Sequence, residues 1–435
     1  MKQVKIGLIG FGTVGTGVVH GLQVNRKHIA DTTGFDITIK TIADIDIKTD
    51  RGLDIGSTAL TQDYHDIAND SEIEIVAQLV GGIDTANDIM MYLLKHGKKI
   101  VTANKALLAY KGPELFMTAR QYKSSIAFEA STAGGIPIIS VLRDGLGGNS
   151  IHSIYGIVNG TSNYILSQMT EYNYPYEKAL NEARKKGYAE EDPSLDVNGD
   201  DAAHKLILLT AIGFRSVVSM DDIHIEGITK INQTDINFAR ELGYTVKSLA
   251  VGILRENGLE LRIHPTLLPR EHPLASVKGV FNAVCVRDNL AGETMFYGKG
   301  AGSYPTASAV IADIIETASG SYGPKFANLC YFSDNGSPSV IPFSETISKF
   351  YTRITAKDIP GVVARITSIF SDNNISIASM IQKESTGSEA GIEFMTHKCR
   401  EADFQNAVQE IKKLDFVIDP PAFIRALDVG FESVG

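Results

Sequence analysis

The residues best equipped for chemistry lie between Ala183 and Lys205, in the run ARKKGYAEEDPSLDVNGDDAAHK. Glu190, Glu191, Asp192, Asp196, Asp200 and Asp201 crowd a glycine-broken loop that leads to Lys205. Lys205 follows Asp201 by one helical turn, so on a helix the two share a face as an acid/amine pair. A lysine buried beside a carboxylate can take and return the proton of an alcohol undergoing oxidation. The plainer alternative is a solvated acidic loop. A second lysine, Lys105 in VTANKALLA, stands just past a short apolar run. It is either a neighbour in the same chemistry or a surface residue capping a turn.

The elements that position these groups begin at the N-terminus. Residues 4–10 form a largely apolar run, the pattern of a parallel strand buried on both faces. Gly10, Gly12 and Gly15 follow, then an apolar helix to about residue 22. Strand, glycine turn and helix in this order let the backbone approach a pyrophosphate at the helix N-terminus. Gly10, Phe11, Gly12, Thr13, Val14 and Gly15 are therefore candidate cofactor contacts. Asp44 closes a strand over residues 37–44 and would accept hydrogen bonds from ribose hydroxyls, which favours NAD. It comes later than is usual, a delay that an insertion over residues 25–34 absorbs. Lys48 and Arg51 stand close behind and would admit NADP. Strands at 73–80 and 99–102 enclose a helix at 85–96 that Gly97 ends. This alternation predicts a doubly wound, Rossmann-like α/β domain. A strand at 125–129 hands over to the turn Ala133-Gly134-Gly135.

Beyond residue 138 the rhythm changes. Helices at 175–186, 200–213 and 234–242 mix with strands at 248–255, 259–267 and 280–287, which predicts an α+β substrate and dimerisation domain. Residues 332–343 are rich in Ser, Pro, Asn and Gly and read as a linker. After it come a strand at 349–357, a helix at 360–371 and strands at 376–383 and 391–396. A helix at 401–413 and a strand at 417–424 complete a ferredoxin-like βαββαβ order. The expected divisions are thus 1–137, 138–330, a linker at 331–348, and 349–435.

Composition narrows the function classes. A chain of 435 residues is too long for a single core. Its net charge of −10 disfavours nucleic acid and anionic membrane as partners. Cys285, Cys330 and Cys399 form no CxxC pair, and the first apolar run is too short for a signal peptide, so a reduced, cytoplasmic setting is expected. No segment reaches the length of a membrane span.

The chain resembles homoserine dehydrogenases over essentially its full length. The matching segments are GFGTVG (10–15), VTANKALLA (101–109), FEASTAGGIPII (128–139), GIVNGTSNYIL (156–166), the acidic run 183–205 and GKGAGSYPTASAV (298–310). The resemblance implies reversible oxidation of L-homoserine to L-aspartate 4-semialdehyde with NAD or NADP, on the route to threonine, methionine and isoleucine. It implies Lys205 as proton donor and acceptor, with Asp201 orienting it and Lys105 helping to hold cofactor and substrate. The amine must be neutral to accept a proton; burial and a second cation favour that state, and Asp201 opposes it. Glu190 is the implied partner of the substrate ammonium, and Asp196 a supporting carboxylate. Gly81, Thr102, Gly187 and Gly302 join the implied cofactor contacts. Asn159 and Thr161, flanked by Tyr155 and Tyr164, are plausible contacts in the substrate pocket.

Relatives hold a monovalent cation, sodium or potassium, at the FEASTAGGIP loop. That implies ligation by Glu129 and by main-chain oxygens near Thr132, Gly134 and Ile136. Valine is commoner where Thr132 stands, a change that main-chain ligation tolerates. The alternative is a glycine turn that only orients the next domain. The C-terminal segment YTRITAKDIPGVVARITSIFSDNNISI resembles an ACT domain, with Asp358 and Gly361 at a regulatory ligand site. Threonine is the implied effector, and pairing of sheet edges between chains implies a homo-oligomer, dimer or tetramer. A module that only dimerises is the alternative. Two further readings stay open: a non-catalytic sensor of amino acid and nucleotide, and an oxidoreductase of a related amino acid.

Overall fold

The computed structural model describes residues 1–329, 331–333, 338–382 and 388–427. Cys330, linker positions 334–337, Lys383 at the end of an expected strand, and residues 428–435 lie outside the described residues. The chain divides into two compact units that interleave in sequence. Met1–Gly160, Asp200–Ile223 and Val280–Pro338 form the first; Thr161–Gly199, His224–Gly279 and Ser339–Gly435 form the second.

In the first unit six strands, β1 (Lys2–Ile9), β2 (Phe35–Ala43), β3 (Ala59–Thr61), β4 (Ile75–Gln78), β5 (Lys99–Thr102) and β6 (Ile126–Ala127), make one sheet. Their order is β3-β2-β1-β4-β5-β6, and every pairing is parallel. Strand order reverses between β1 and β4, so their C-terminal ends open a crevice where such sheets take ligands. Ile6, Leu8, Val76, Ala77, Ile100 and Val101 are fully buried, which is why these strands read as unbroken apolar runs.

In the first unit two elements differ from expectation. The helix after β1 runs from Thr13 to Thr33, with Gly34 closing it in the left-handed region at φ 78°. Residues 25–34 are therefore helix and its cap, and the late arrival of Asp44 reflects about three extra helical turns. Ile29 and Ala30 keep this extension buried, while the charged run around them hid its apolar face. The strand expected at 125–129 is only Ile126–Ala127, because Glu129–Ser131 turns as a 3-10 helix. The amide of Glu129 bonds the Asp313 carboxylate at 2.8 Å instead of continuing the ladder.

The first unit also holds an antiparallel meander of Ile151–Ile157, Phe281–Asp288 and Gly292–Lys299. The helix Asp200–Gly213 is buried from Asp201 to Ile212. That burial places the acid/amine pair in the interior.

In the second unit, the hairpin Tyr244–Arg255 and Gly258–Pro269 is antiparallel. Strand Gly258–Pro269 then pairs in parallel with the C-terminal strand Ala422–Ala426, Thr266 opposite Arg425. Ile347–Lys357, Glu389–Thr396 and Ile377–Gln382 follow in that order, all antiparallel. With the helices Val362–Asp372 and Glu401–Ile411, the C-terminal segment has the expected βαββαβ order around a core that includes Phe350, Ile366, Phe370, Phe394 and Phe404. Its last strand starts at Ala422, five positions later than expected, since Pro420 and Pro421 have no N–H to give a ladder. One sheet edge of this module is occupied within the chain.

Asn104 shows how β4 and β5 position the next helix. Its side chain accepts the Leu107 amide at 3.0 Å as N-cap of Lys105–Gln121. Its own amide donates to Val80 O (3.1 Å) and Gly82 O (2.7 Å). Asn104→Ala removes all three bonds and is expected to cost about 1–2 kcal/mol, read as a lower urea midpoint. An unchanged midpoint would mean that the cap is dispensable.

Candidate functional site

The crevice at the ends of β1 and β4 is built by glycines with different reasons for being glycine. Gly10 has φ 98°, and a Cβ there would lie 2.9 Å from the Leu79 carbonyl carbon. A Cβ on Gly15 would strike Gly10 O. Gly12 is different: no atom lies within 4 Å of where its Cβ would be. No protein contact demands a glycine at that position, so its bareness fits the close approach of a pyrophosphate. Gly81 is equally open, and Gly302, at φ 117°, has no contact closer than Pro305 at 3.6 Å. Ser303 beside it donates to Thr13 O at 2.8 Å. Thr102 donates to Gln78 Oε1 at 3.0 Å, cross-linking the ends of β5 and β4.

Asp44 lies at this crevice. It accepts the Phe11 amide through Oδ2 and the Asp46 amide through Oδ1 at 2.8 Å. Arg51 joins it: its Nε donates to Phe11 O at 2.6 Å and its guanidinium sits 4.7 Å from the centre of the Phe11 ring. Arg51 Nη2 is 3.8 Å from Asp44 Oδ1. A carboxylate and a cation thus stand side by side at the crevice.

Also in the first unit, Asp201 and Lys205 meet as their spacing predicts. Lys205 Nζ donates to Asp201 Oδ2 at 2.7 Å and to Val158 O at 2.6 Å. Lys105 reaches the other oxygen, Nζ to Oδ1 at 3.0 Å. Asn159 donates its amide to Asp201 Oδ2 at 2.9 Å. Two ammoniums thus share one carboxylate, and all of it except Lys105 is buried. Burial works against ionised Asp201, but the charges of Lys205 and Lys105 and the hydrogen bonds from Lys205 and Asn159 win, holding it well below the usual carboxylate range. Two like charges thus face one another across the Asp201 carboxylate. His204 points away and packs edge-on against Tyr110, 5.4 Å between centroids.

The second unit carries the earlier part of the acidic stretch, residues 183–199. Glu190 is exposed. Asp192 is used structurally: it accepts the Ser194 amide at 3.1 Å and its hydroxyl, starting the turn Ser194–Val197. Asp196 sits on that turn, with its carbonyl accepting the Ser162 hydroxyl at 2.8 Å. Thr161 donates to Tyr188 O at 2.7 Å. Gly187, at φ 70°, ends the helix Tyr176–Lys185, and its amide bonds Arg184 O at 2.9 Å.

The loop 129–136, in the first unit, offers the donor set on which a monovalent cation would depend. Both Glu129 oxygens are committed, to the amides of Ile139 and Ser140 at 2.8 Å each. Burial pushes the Glu129 carboxyl up, against the pull of those Ser140 and Ile139 bonds. Burial and the neighbouring Glu129 charge push Asp313 up as well. The Thr132 hydroxyl is buried with no hydrogen-bond partner among the described residues. Two buried carboxyls, an unpaired hydroxyl oxygen and a tightly turned backbone fit a hard cation held by main-chain oxygens. Gly134 and Gly135 are also needed for packing, since Cβ atoms there would come within 3.0 Å of Gly300 O and 2.7 Å of Lys299 O.

In the C-terminal module Gly361, at φ 95°, precedes the helix Val362–Asp372. It lines a cavity of about 430 Å³ with Asp358, Pro360, Gln382 and Ile392. Among the described residues, no helix is long and apolar enough to cross a membrane.

Two contributors escaped the sequence. Val158 acts through its carbonyl, which leaves no trace in residue type. Asn159, a plausible pocket contact by sequence, donates its amide to Asp201. Asp313 had a readable signal, a lone carboxylate in the apolar run AVIADII.

A family model described as homoserine dehydrogenase matches residues 137–315. One described as homoserine dehydrogenase, NAD binding domain, matches residues 10–129, and an ACT domain model matches residues 350–416. The chain is 40% identical over 431 residues to a homoserine dehydrogenase of Pseudomonas aeruginosa, covering 98% of this chain and 99% of that protein. A crystal structure of a homoserine dehydrogenase from Thiobacillus denitrificans matches with a TM-score of 0.93 and 39% identity over 99% of each chain. A hyperthermophilic archaeal homoserine dehydrogenase in complex with NADPH matches 73% of this chain and 98% of its own, with a TM-score of 0.62 and 27% identity.

The low position of Asp201 makes a stability prediction. A depressed carboxylate contributes stability above its unfolded value, about 3.9, and loses it as pH falls through the folded value. Wild type is therefore expected to exceed Asp201→Asn in urea midpoint at pH 7, with the gap narrowing at pH 3. A gap that stays constant between the two would contradict the assignment.

Proposed function

The chain belongs to the homoserine dehydrogenase family, and on that premise we propose that Lys205 moves the hydroxyl proton of the substrate. The enzyme is an oxidoreductase that interconverts L-homoserine and L-aspartate 4-semialdehyde with a nicotinamide dinucleotide. When bound, that dinucleotide accepts or returns the hydride of the carbinol carbon. The observation that carries the proposal is the buried Lys205 amine held at 2.7 Å from Asp201 Oδ2 and 2.6 Å from Val158 O. Two of its donor directions are fixed by protein, which aims the amine.

In oxidation Lys205, neutral, takes the hydroxyl proton as the alcohol becomes an aldehyde. In reduction the ammonium returns a proton to the aldehyde oxygen. Asp201 stabilises the charged form, and Lys105, on its other oxygen, counters that stabilisation. Lys105 also contributes positive charge towards cofactor and substrate. Glu190 pairs with the substrate ammonium, and Asp196 supports that carboxylate stretch. Gly10, Phe11, Gly12, Thr13, Val14, Gly15, Gly81, Thr102, Gly187 and Gly302 contact the dinucleotide. Asp44 favours NAD, and the neighbouring Arg51 keeps NADP as the other candidate.

Glu129, Thr132, Gly134 and Ile136 would hold sodium or potassium through main-chain oxygens, and the ion would steady the turn between the segments 1–137 and 138–330. Segment 349–435, after a linker at 331–348, is the regulatory module. An amino acid, threonine first, is its proposed effector at Asp358 and Gly361. The proposed assembly is a dimer or tetramer in the cytoplasm.

Homoserine-dependent reduction of NAD and NADP, assayed in parallel, tests the reading. Lys205→Met is expected to lower kcat by about 10²–10⁴-fold while dinucleotide binding, followed by fluorescence, is retained. Turnover within a few-fold of wild type would remove Lys205 from the proton transfer. Glu190→Gln is expected to raise the homoserine KM, leaving the dinucleotide KM unchanged.

A further inference from the structure

We propose that Arg425, on the last strand of the C-terminal module, is a positioning residue for the acidic stretch that takes the substrate ammonium. The inference rests on the assignment of Glu190 above. Arg425 is 2% exposed. Its guanidinium holds both oxygens of Glu401, from Nε at 2.8 Å and Nη2 at 2.6 Å. It also holds both oxygens of Glu226, from Nη1 at 2.9 Å and Nη2 at 3.0 Å. Phe343 lies 4.9 Å, Phe423 5.6 Å and Phe350 5.8 Å from it, ring centre to Cζ. A planar fork bidentate to two carboxylates leaves little freedom to either partner.

Glu401 belongs to the module, and Glu226 does not. Glu226 lies just past the short strand His224–Ile225, where its amide donates to Ile263 O at 2.7 Å and its Oε1 meets His224 Nε2 at 2.7 Å. The next residue, Gly227, sits against the end of the acidic stretch. A Cβ there would strike Val197 O and come within 2.7 Å of Asn198 Cα. Ile228 donates its amide to Val197 O at 2.9 Å. Val197 ends the turn that carries Asp196. All of these residues lie in the second unit. An unbroken series of short contacts therefore runs from Glu401 and Arg425 through Glu226 and Gly227 to Val197. A shift at Glu226 has bonded or close-packed groups at every step through which to reach Val197.

A mere buried ion triad that holds the fold together would show the same distances, so the test needs a readout that stability does not move. Glu226→Gln in the full-length chain keeps the shape and one acceptor, and leaves Arg425 its partner Glu401. The expected result is a homoserine KM raised about five-fold, with kcat and the dinucleotide KM unchanged. Arg425→Lys, which keeps the charge but not the fork, is expected to act in the same direction. Asp235→Asn is the control. It breaks another tie of the module, Arg353 Nε to Asp235 Oδ1 at 3.0 Å, which involves none of residues 226–228, and is expected to lower Tm without raising KM.

Three results would overturn the inference: a lower Tm for Glu226→Gln at constant homoserine KM, a parallel change in all three kinetic constants, or a KM rise in Asp235→Asn. Glu190→Gln separates this from the reading beneath it. A KM rise there with none in Glu226→Gln removes Arg425 alone; no rise in Glu190→Gln removes the substrate role of the stretch and the inference with it.

Discussion

The catalytic reading depends on one buried carboxylate bearing two ammoniums. Asp201, buried in the first turn of its helix, is held ionised by Lys205 on one oxygen and Lys105 on the other. Removing a partner from such a group leaves a buried charge uncompensated, which is why the surrounding parts are so closely specified. Val158 O and the Asn159 amide fix the orientation, and Asn104 caps the helix on which Lys105 is the first residue. The protonation chemistry follows from this sharing. In the proposed mechanism Asp201 favours the charged amine, and the second ammonium on the same carboxylate opposes it.

The dinucleotide crevice is set by topology, not by any single side chain. Strand reversal between β1 and β4 brings the Gly10–Gly15 turn beside the loop after Gln78. Asn104 and Thr102 bind the ends of β4 and β5 together, so the crevice and the lysine share one scaffold. The second unit is joined differently. Its C-terminal module adds a strand to the Gly258–Pro269 edge and is pinned by Arg425 and Arg353. An ACT domain attached in this way is part of the packed unit and not a bead on a linker.

Much of this was legible in the sequence, for reasons that can be named. Buried parallel strands must be apolar on both faces, so residues 4–10 and 99–102 stood out. A spacing of one helical turn predicted the Asp201–Lys205 contact. The misses have equally physical causes. The charged residues of 25–34 face solvent and concealed a helix whose buried side is only Ile29 and Ala30. The strand at 125–129 was cut short by a tertiary bond from the Glu129 amide to Asp313, which no local pattern records. The final strand waited for Pro420 and Pro421 to pass. Of the carboxylates in the acidic stretch, residue type could not say which were structural: Asp192 caps a turn, and Asp201 binds lysines.

The most direct test of the shared carboxylate is the pH profile of kcat/KM for homoserine oxidation in wild type and in Asp201→Asn. The neutral amine is the active form in oxidation, and Asp201 favours the charged one. Removing that charge is therefore expected to move the ascending limb to lower pH, whatever happens to the maximal rate. A limb that stays in place, or moves to higher pH, would contradict the account.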